Sequence, residues 1–286
     1  MPPASPTVAT WELALRLRER RAQLGIEVDT ITEALGFTRN YWSAVENERR
    51  ILAADKLVAL LDLFEFDKDE HRELTELREA AKRRGWWSNY SGLFSTELQR
   101  FFGLEHGAQT IRTYESLIIP GLLQTEAYVH AMISADIAVR QVEVDQRVEV
   151  RMRRRDRLTT DEPLHLTAVI SQAALVQQTG GPTVLREQLK HMASMIEKYP
   201  DTIDVRVIPF TATACGLFGA STFHLIDFES PKLPTLAWQE TVTAAGIIDD
   251  PIQVRDLSLT YGEALRRTLN AQDSLRLIRR SAKELA

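Results

Sequence analysis

Two glycines, Gly25 and Gly36, divide the start of the chain into short segments, and this spacing constrains the fold more than any other feature. Apolar side chains recur at helical spacing over residues 11–24 and again over residues 28–35. A glycine directly after the last periodic residue is a typical helix end, because it adopts the left-handed conformation without a steric penalty. The pattern therefore predicts helices that are too short to be stable alone and must pack into a small bundle.

Thr38 lies two residues beyond Gly36 and is predicted to be the N-cap of a third helix running to Glu46, because its hydroxyl can accept a hydrogen bond from a free amide. A helix, a glycine turn and a second, capped helix form the pattern of a helix-turn-helix, whose second helix enters the major groove of DNA. The same spacing also occurs in ordinary helical bundles. Residues 53–64 and 67–84 are predicted to be the fourth and fifth helices.

The first turns of the third helix would face base edges in such a groove. Arginine pairs with guanine O6 and N7, and asparagine pairs with adenine, which gives these roles to Arg39 and Asn40. Side chains near the end of the helix are better placed to contact phosphates. The predicted DNA-binding residues are Thr38, Arg39, Asn40, Tyr41, Ser43, Ala44, Asn47, Arg49 and Arg50.

The charge of the chain argues against a general binder of polyanions. The net charge is −5, and residues 1–66 contain eight Arg and Lys against ten Asp and Glu, a balance of −2. Because phosphate neutralisation supplies most non-specific affinity for nucleic acid, such a protein needs its cations on one face, or two copies. We therefore expect a homodimer on a double-stranded, palindromic DNA operator.

A change of composition at residues 85–92 predicts a linker, and the part of the chain beyond it mixes helical and alternating patterns. Strands are predicted at residues 110–119, 164–171, 203–209, 221–228 and 235–239. The expected fold class is therefore α+β. An all-α helix-turn-helix domain of five helices over residues 1–84 is followed by a mixed α/β domain over residues 93–286, with sensor, partner-binding and dimerisation roles.

Other classes of protein have little support in the sequence. Cys215 is the only cysteine, so no intrachain disulfide can form, and a reducing cytoplasmic setting is expected. Residues 1–10 hold three prolines and no basic residue, which predicts a loose tail and not a secretory signal. No apolar run is long enough to span a membrane. The six histidines show no metal-ligand spacing, so we expect no metal, no other cofactor and no enzyme. A novel enzyme with Cys215 as its nucleophile is kept as an alternative to a regulator.

A predicted helix over residues 139–158 is rich in arginine. These side chains form either a solvated face, with Glu149 and Asp156 as partial partners, or a surface for an anion, an acidic protein or additional DNA. The residues of that surface are Arg147, Arg151, Arg154 and Arg155.

Residues 17–25 and 35–47 resemble the XRE (Cro/repressor-type) helix-turn-helix. The runs Arg83-Arg84-Gly85-Trp86-Trp87 and Pro120-Gly121-Leu122-Leu123-Gln124-Thr125 are similar to those of its actinobacterial WhiJ-like branch. This resemblance covers nearly the whole chain. It implies a transcriptional regulator whose C-terminal domain responds to an unknown small molecule or a small protein partner. The alternative that it implies is an antitoxin-like protein that mainly binds a small partner protein and autoregulates its own operon.

The chain departs from this family at two places in the helix-turn-helix. Many members open the second helix with Ser-Gln, whose glutamine reaches a phosphate, whereas this chain has Glu27 and Val28. Many members have glycine after the third helix, where this chain has Glu48. We expect the first change to remove a phosphate contact and the second to strain the turn or to alter its type.

Overall fold

The computed structural model describes residues 2–241 and 243–285. Backbone contacts divide the chain into two compact units, one over residues 3–89 and one from Tyr90 onward. The first unit is helical and the second contains a mixed sheet with helices, so the predicted α+β class is confirmed. No helix among the described residues is both long and apolar enough to cross a membrane.

The N-terminal unit contains five α-helices. They are α1 (Pro6–Leu24), α2 (Val28–Leu35), α3 (Arg39–Glu46), α4 (Ala54–Leu63) and α5 (Lys68–Ala81). One apolar cluster joins them, and its fully buried members include Leu17, Ile31, Trp42, Leu60 and Phe64. Burial of this shared surface stabilises helices that would be marginal in isolation.

The predicted helix ends are confirmed at both glycines and at the cap of α3. Gly25 and Gly36 have left-handed backbones, with φ of 64° and 69°. The Thr38 hydroxyl accepts a hydrogen bond from the Tyr41 amide at 3.1 Å. Glu48 has a φ of 62°, so the turn after α3 does require the conformation that favours glycine. For a residue with a Cβ this conformation costs about 1–2 kcal/mol.

The prediction of a loose tail over residues 1–10 is wrong from Pro6 onward. Ser5 caps α1, because its hydroxyl accepts a hydrogen bond from the Val8 amide at 3.4 Å. Pro6 occupies the first turn, where a missing amide has no consequence. Ala9 and Trp11 are buried in the unit. Pro6 therefore marks the start of a helix.

Among its described residues, the C-terminal unit contains six α-helices that pack on one sheet. The helices are α6 (Thr96–Gly107), α7 (Glu126–Ser134), α8 (Val144–Arg155), α9 (Pro182–Lys198), α10 (Pro251–Leu265) and α11 (Ala271–Glu284). The strands are β1 (Thr110–Glu115), β2 (His165–Ser171), β3 (Ile203–Ile208), β4 (Phe223–Asp227), β5 (Leu236–Glu240) and β6 (Ala245–Ile248). The first five strands overlap the predicted ones, but β1 ends at Glu115, so the prediction of a strand over residues 116–119 is wrong. β6 was not predicted.

The sheet has the order β3-β2-β1-β4-β5-β6, which places β1 in its interior. β1 pairs with β2, and β2 with β3, in parallel. The other three pairings are antiparallel. β1 is thus the strand where a parallel half and an antiparallel half of the sheet meet.

The Pro-Gly-Leu-Leu-Gln-Thr run forms a packed turn that leads from β1 towards α7. Gln124 is fully buried, and its side-chain amide donates to the Ile119 carbonyl at 2.7 Å. Gln188 of α9 donates to the Leu123 carbonyl at 2.7 Å and accepts from the Thr125 amide at 2.6 Å. These bonds hold the turn rigidly against α9.

Candidate nucleic-acid interface

The helix α3 has one buried side and one exposed side. Trp42 and Val45 are buried against the other helices. Arg39, Asn40 and Ser43 are exposed, and Ser43 follows Arg39 by four residues and Asn40 by three, so it shares a face of the helix with both. Of the other predicted residues, Thr38, Asn47, Arg49 and Arg50 are exposed, and Tyr41 and Ala44 are partly exposed.

Arg39 forms an ion pair with Asp29 of α2. Both side chains are more than half exposed, so solvent screens the pair and it contributes little to stability. The arginine predicted to read a base is therefore held by a carboxylate that a nucleic acid would have to displace.

The turn after α3 is fixed by backbone and aromatic contacts. The amides of Arg49 and Arg50 donate to the Ala44 carbonyl at 2.8 and 3.1 Å. The Arg50 guanidinium lies 5.1 Å from the centre of the Tyr41 ring, which itself stacks on Phe37 at 4.5 Å. These contacts hold Arg50 beside α3 and leave its side chain exposed.

Glu46, the last residue of α3, and Asn47, which follows it, both make contacts within the unit. The side-chain amide of Asn47 donates to the Ser43 carbonyl at 2.7 Å and closes the last turn. Glu46 accepts a hydrogen bond from Arg21 of α1 at 2.7 Å. This ion pair gives Glu46 a structural role.

Sequence reasoning missed Lys56 of α4. Its ammonium group donates to the Leu35 carbonyl at 2.8 Å and lies 5.7 Å from the centre of the Phe37 ring. A positive charge therefore lies beside the turn between α2 and α3. Only the packing of α4 against α2 brings it there, so no local pattern could have indicated it.

Of the four arginines predicted to form a surface on α8, the structure buries one. Arg154 is buried, whereas Arg147, Arg151 and Arg155 are only partly exposed. Arg154 donates to both carboxylate oxygens of Glu105 on α6, at 2.6 and 2.9 Å. This bidentate geometry is the strongest form of such a pair.

The neighbours of Arg154 on α8 also bond inward. Arg147 donates to Glu143 at 2.9 Å and lies 5.0 Å from the centre of the Phe94 ring. Arg155 donates to the Gln124 carbonyl at 3.3 Å. Burial opposes the charge of Arg154, but the Glu105 carboxylate raises its pKa overall.

Metal ligation has no candidate in the part of the chain that the structure describes. No group of three or more His, Cys, Asp and Glu side chains in residues 2–241 and 243–285 lies close enough together to hold an ion.

The bundle of residues 3–89 and the exposed face of α3 are features of a helix-turn-helix protein. A family model described as a helix-turn-helix domain matches residues 12–74. Such domains are typical of non-enzymatic, DNA-binding transcriptional regulators. A second model, described as a domain of unknown function (DUF5753), matches residues 98–280, more than half of the chain. The chain therefore belongs to the DUF5753 family. No curated protein and no solved structure matches it.

Proposed function

We propose that this protein is a cytoplasmic, sequence-specific regulator of transcription in the WhiJ-like branch of the XRE regulators, with α3 as its recognition helix. One observation carries the proposal: α3 buries Trp42 and Val45 while it exposes Arg39, Asn40 and Ser43 on one face. A helix of this kind can insert its exposed face in the major groove while its buried face stays on the bundle.

The proposed roles follow from the chemistry of each side chain. Arg39 pairs with guanine and Asn40 with adenine, and Thr38, Ser43 and Ala44 contact further base edges or a thymine methyl group. Phosphate contacts, which position the helix without reading sequence, are assigned to Tyr41, Asn47, Arg49 and Arg50.

Arg39→Ala is expected to weaken binding to the cognate operator by about 1–3 kcal/mol and to relax the preference at one base pair. Arg49→Ala should weaken binding to all sequences alike and lower the slope of log affinity against log salt by about one. The operator is first selected from a pool of random duplexes, and affinity is then measured by fluorescence anisotropy. Arg72→Ala is the control, because Arg72 is an exposed arginine of α5 paired with Asp69. Unchanged binding by both variants would refute the placement of α3 in the groove.

Asp29→Asn is expected to strengthen operator binding several-fold. The substitution releases Arg39 from its ion pair and removes a negative charge beside the recognition helix. Asp69→Asn breaks the comparable exposed pair with Arg72, and its affinity should equal that of the wild type. A loss of affinity in Asp29→Asn, measured on the same operator, would mean that Asp29 orients Arg39 for reading the base.

We further propose a division of labour between residues 1–84, which read DNA, and residues 93–286, which dimerise and carry the regulatory site, with residues 85–92 as linker. A small molecule or a small protein partner bound to residues 93–286 then alters the separation of the two helix-turn-helix units in the dimer. Such control requires that it bind the two states with different affinity.

Light scattering is expected to give the mass of a dimer at micromolar concentration, both free and on a palindromic operator. The reason is that one helix-turn-helix with a local charge balance of −2 covers too few phosphates for tight binding. The isolated fragment 93–286 should also be dimeric. A monomeric full chain on DNA would contradict this assembly.

A further inference from the structure

The C-terminal unit contains a cavity of about 650 Å³ between α6, α7, α8 and the sheet. This volume lies within the range of roughly 300–1,000 Å³ that is usual for sites that bind small molecules. One wall is apolar and largely aromatic, and includes Phe94, Leu98, Phe101, Phe102 and Leu122. The other wall is polar, and includes Glu105, Glu115, Arg151, Arg154 and His224.

Most of the ionisable side chains on the polar wall are paired with each other or are uncharged at neutral pH. Arg154 and Glu105 form the bidentate pair, and Arg154 also lies 4.9 Å from the centre of the Phe102 ring. Burial lowers the pKa of His224 to about 4, so this side chain is uncharged at neutral pH.

Arg151 differs from Arg147, Arg154 and Arg155 of the same helix in its contacts. No hydrogen bond or close ion pair joins its guanidinium to the described residues, and the carboxylates of Glu240, Glu105 and Glu115 act on it only over longer distances. Burial and the nearby Arg154 lower its pKa to about 10, which leaves it charged at neutral pH. Arg151 lines the cavity and is partly exposed. A desolvated cation without a close counterion therefore has donors available to a bound group.

The Pro-Gly-Leu-Leu turn fixes where this cation lies. A Cβ atom at Gly121 would come within 2.8 Å of the Arg151 Nη1 atom, so the guanidinium rests directly against the glycine. Pro120 and Leu122 line the same cavity. This turn is thus part of the cavity wall.

Glu115 is a second ionisable group on the same wall. It is buried, and its Oε2 atom accepts a hydrogen bond from the Thr222 hydroxyl at 2.7 Å. Burial raises its pKa to about 8, so at neutral pH it is mostly protonated. The exposed carboxylates of Asp136 and Glu240 also line the cavity, and they disfavour ligands with several negative charges.

We propose that this cavity binds a hydrophobic organic monocarboxylate, with its carboxylate at Arg151 and its apolar body against Phe94, Phe101 and Phe102. The role of such a molecule as the effector of DNA binding rests on the proposed function. Its binding does not, because the site lies wholly in the C-terminal unit.

The test uses the full chain and two probes of equal chain length, decanoate and decanol, titrated by calorimetry. Arg151→Gln is expected to weaken decanoate binding at least tenfold and to leave decanol binding unchanged. Arg255→Gln, which removes an exposed arginine of α10 paired with Asp256, should leave both affinities at the wild-type value. Leu98→Trp adds bulk to the apolar wall and should weaken both probes. Circular dichroism of each variant confirms that it is folded.

Three results would overturn the proposal. Equal losses of both probes in Arg151→Gln would make Arg151 a structural residue. Unchanged decanoate binding in that variant would place the carboxylate elsewhere, and unchanged binding of both probes in Leu98→Trp would place them outside the cavity. None of these titrations contains DNA, so they fail or succeed independently of the proposed function.

Decanoate should then alter the operator affinity of the wild type and not that of Arg151→Gln. If the operator affinity of the wild type is the same with and without decanoate, the effector role is refuted.

Discussion

Glu105→Gln is expected to lower the free energy of unfolding of the C-terminal unit by about 3–5 kcal/mol. The substitution leaves Arg154 buried with its charge uncompensated, because Glu105 provides the only carboxylate that Arg154 contacts within the described residues. Urea denaturation followed by circular dichroism measures the loss. Glu187→Gln, which breaks an exposed ion pair with Lys190, should leave the midpoint unchanged.

A double variant separates the charge from the packing. Replacing both members of the pair by apolar residues, Glu105→Leu with Arg154→Met, should recover much of the stability lost in Glu105→Gln, since no charge then remains buried. If the double variant is less stable than the single one, the hydrogen bonds of Arg154 and its contacts with the phenylalanine rings contribute more than its charge compensation.

Glu115→Gln is expected to stabilise the protein at pH 8 and to have little effect near pH 4.5. Burial raises the folded-state pKa of Glu115 to about 8, above the ordinary value of 4.5. Between these values the unfolded chain loses a proton that the folded chain keeps. Each pH unit in this window therefore favours unfolding by about 1.4 kcal/mol. The stability that the protonated group provides is complete below pH 4.5 and is lost as pH rises towards 8.

The measurement is urea denaturation of the wild type and Glu115→Gln at intervals from pH 5 to pH 8. The difference between the two free energies of unfolding should grow steadily with pH. Glu284→Gln on α11 controls for the change in net charge, because that side chain is exposed. A constant difference over the whole range would show that Glu115 is ionised when folded.

Local sequence features were enough to predict most of the helical unit. Gly25, Gly36 and Thr38 act on the backbone within a few residues, so their effects can be read without knowledge of the fold. The inward direction of Trp42 and Val45 follows from the helical period in the same way. Pro6 was misread because proline suits both a loose segment and the first turn of a helix, and the cap on Ser5 decided between them.

Interactions between distant segments could not be predicted. The partner of Arg154 is on another helix, and nothing near either residue indicates that Glu105 and Arg154 meet. A run of arginines on one helix therefore suggested an exposed face, although the fold buries part of it. The strand β6 was missed because Ala245–Ile248 is short and its first two residues are small, so it lacks a clear alternation.

The interior position of β1 determines the order in which the chain can fold as it leaves the ribosome. Ile111 pairs with Leu166 on one side and with Ile226 on the other, so its second neighbour is synthesised much later than its first. Until β4 emerges, the nascent chain carries a half-built sheet with an unpaired apolar edge, which is a template for aggregation. The helical unit is complete long before this, since its core comes entirely from residues before 90. A chain whose synthesis stops before Phe223 would therefore carry a finished helix-turn-helix attached to an open sheet, a natural substrate for chaperones and proteases.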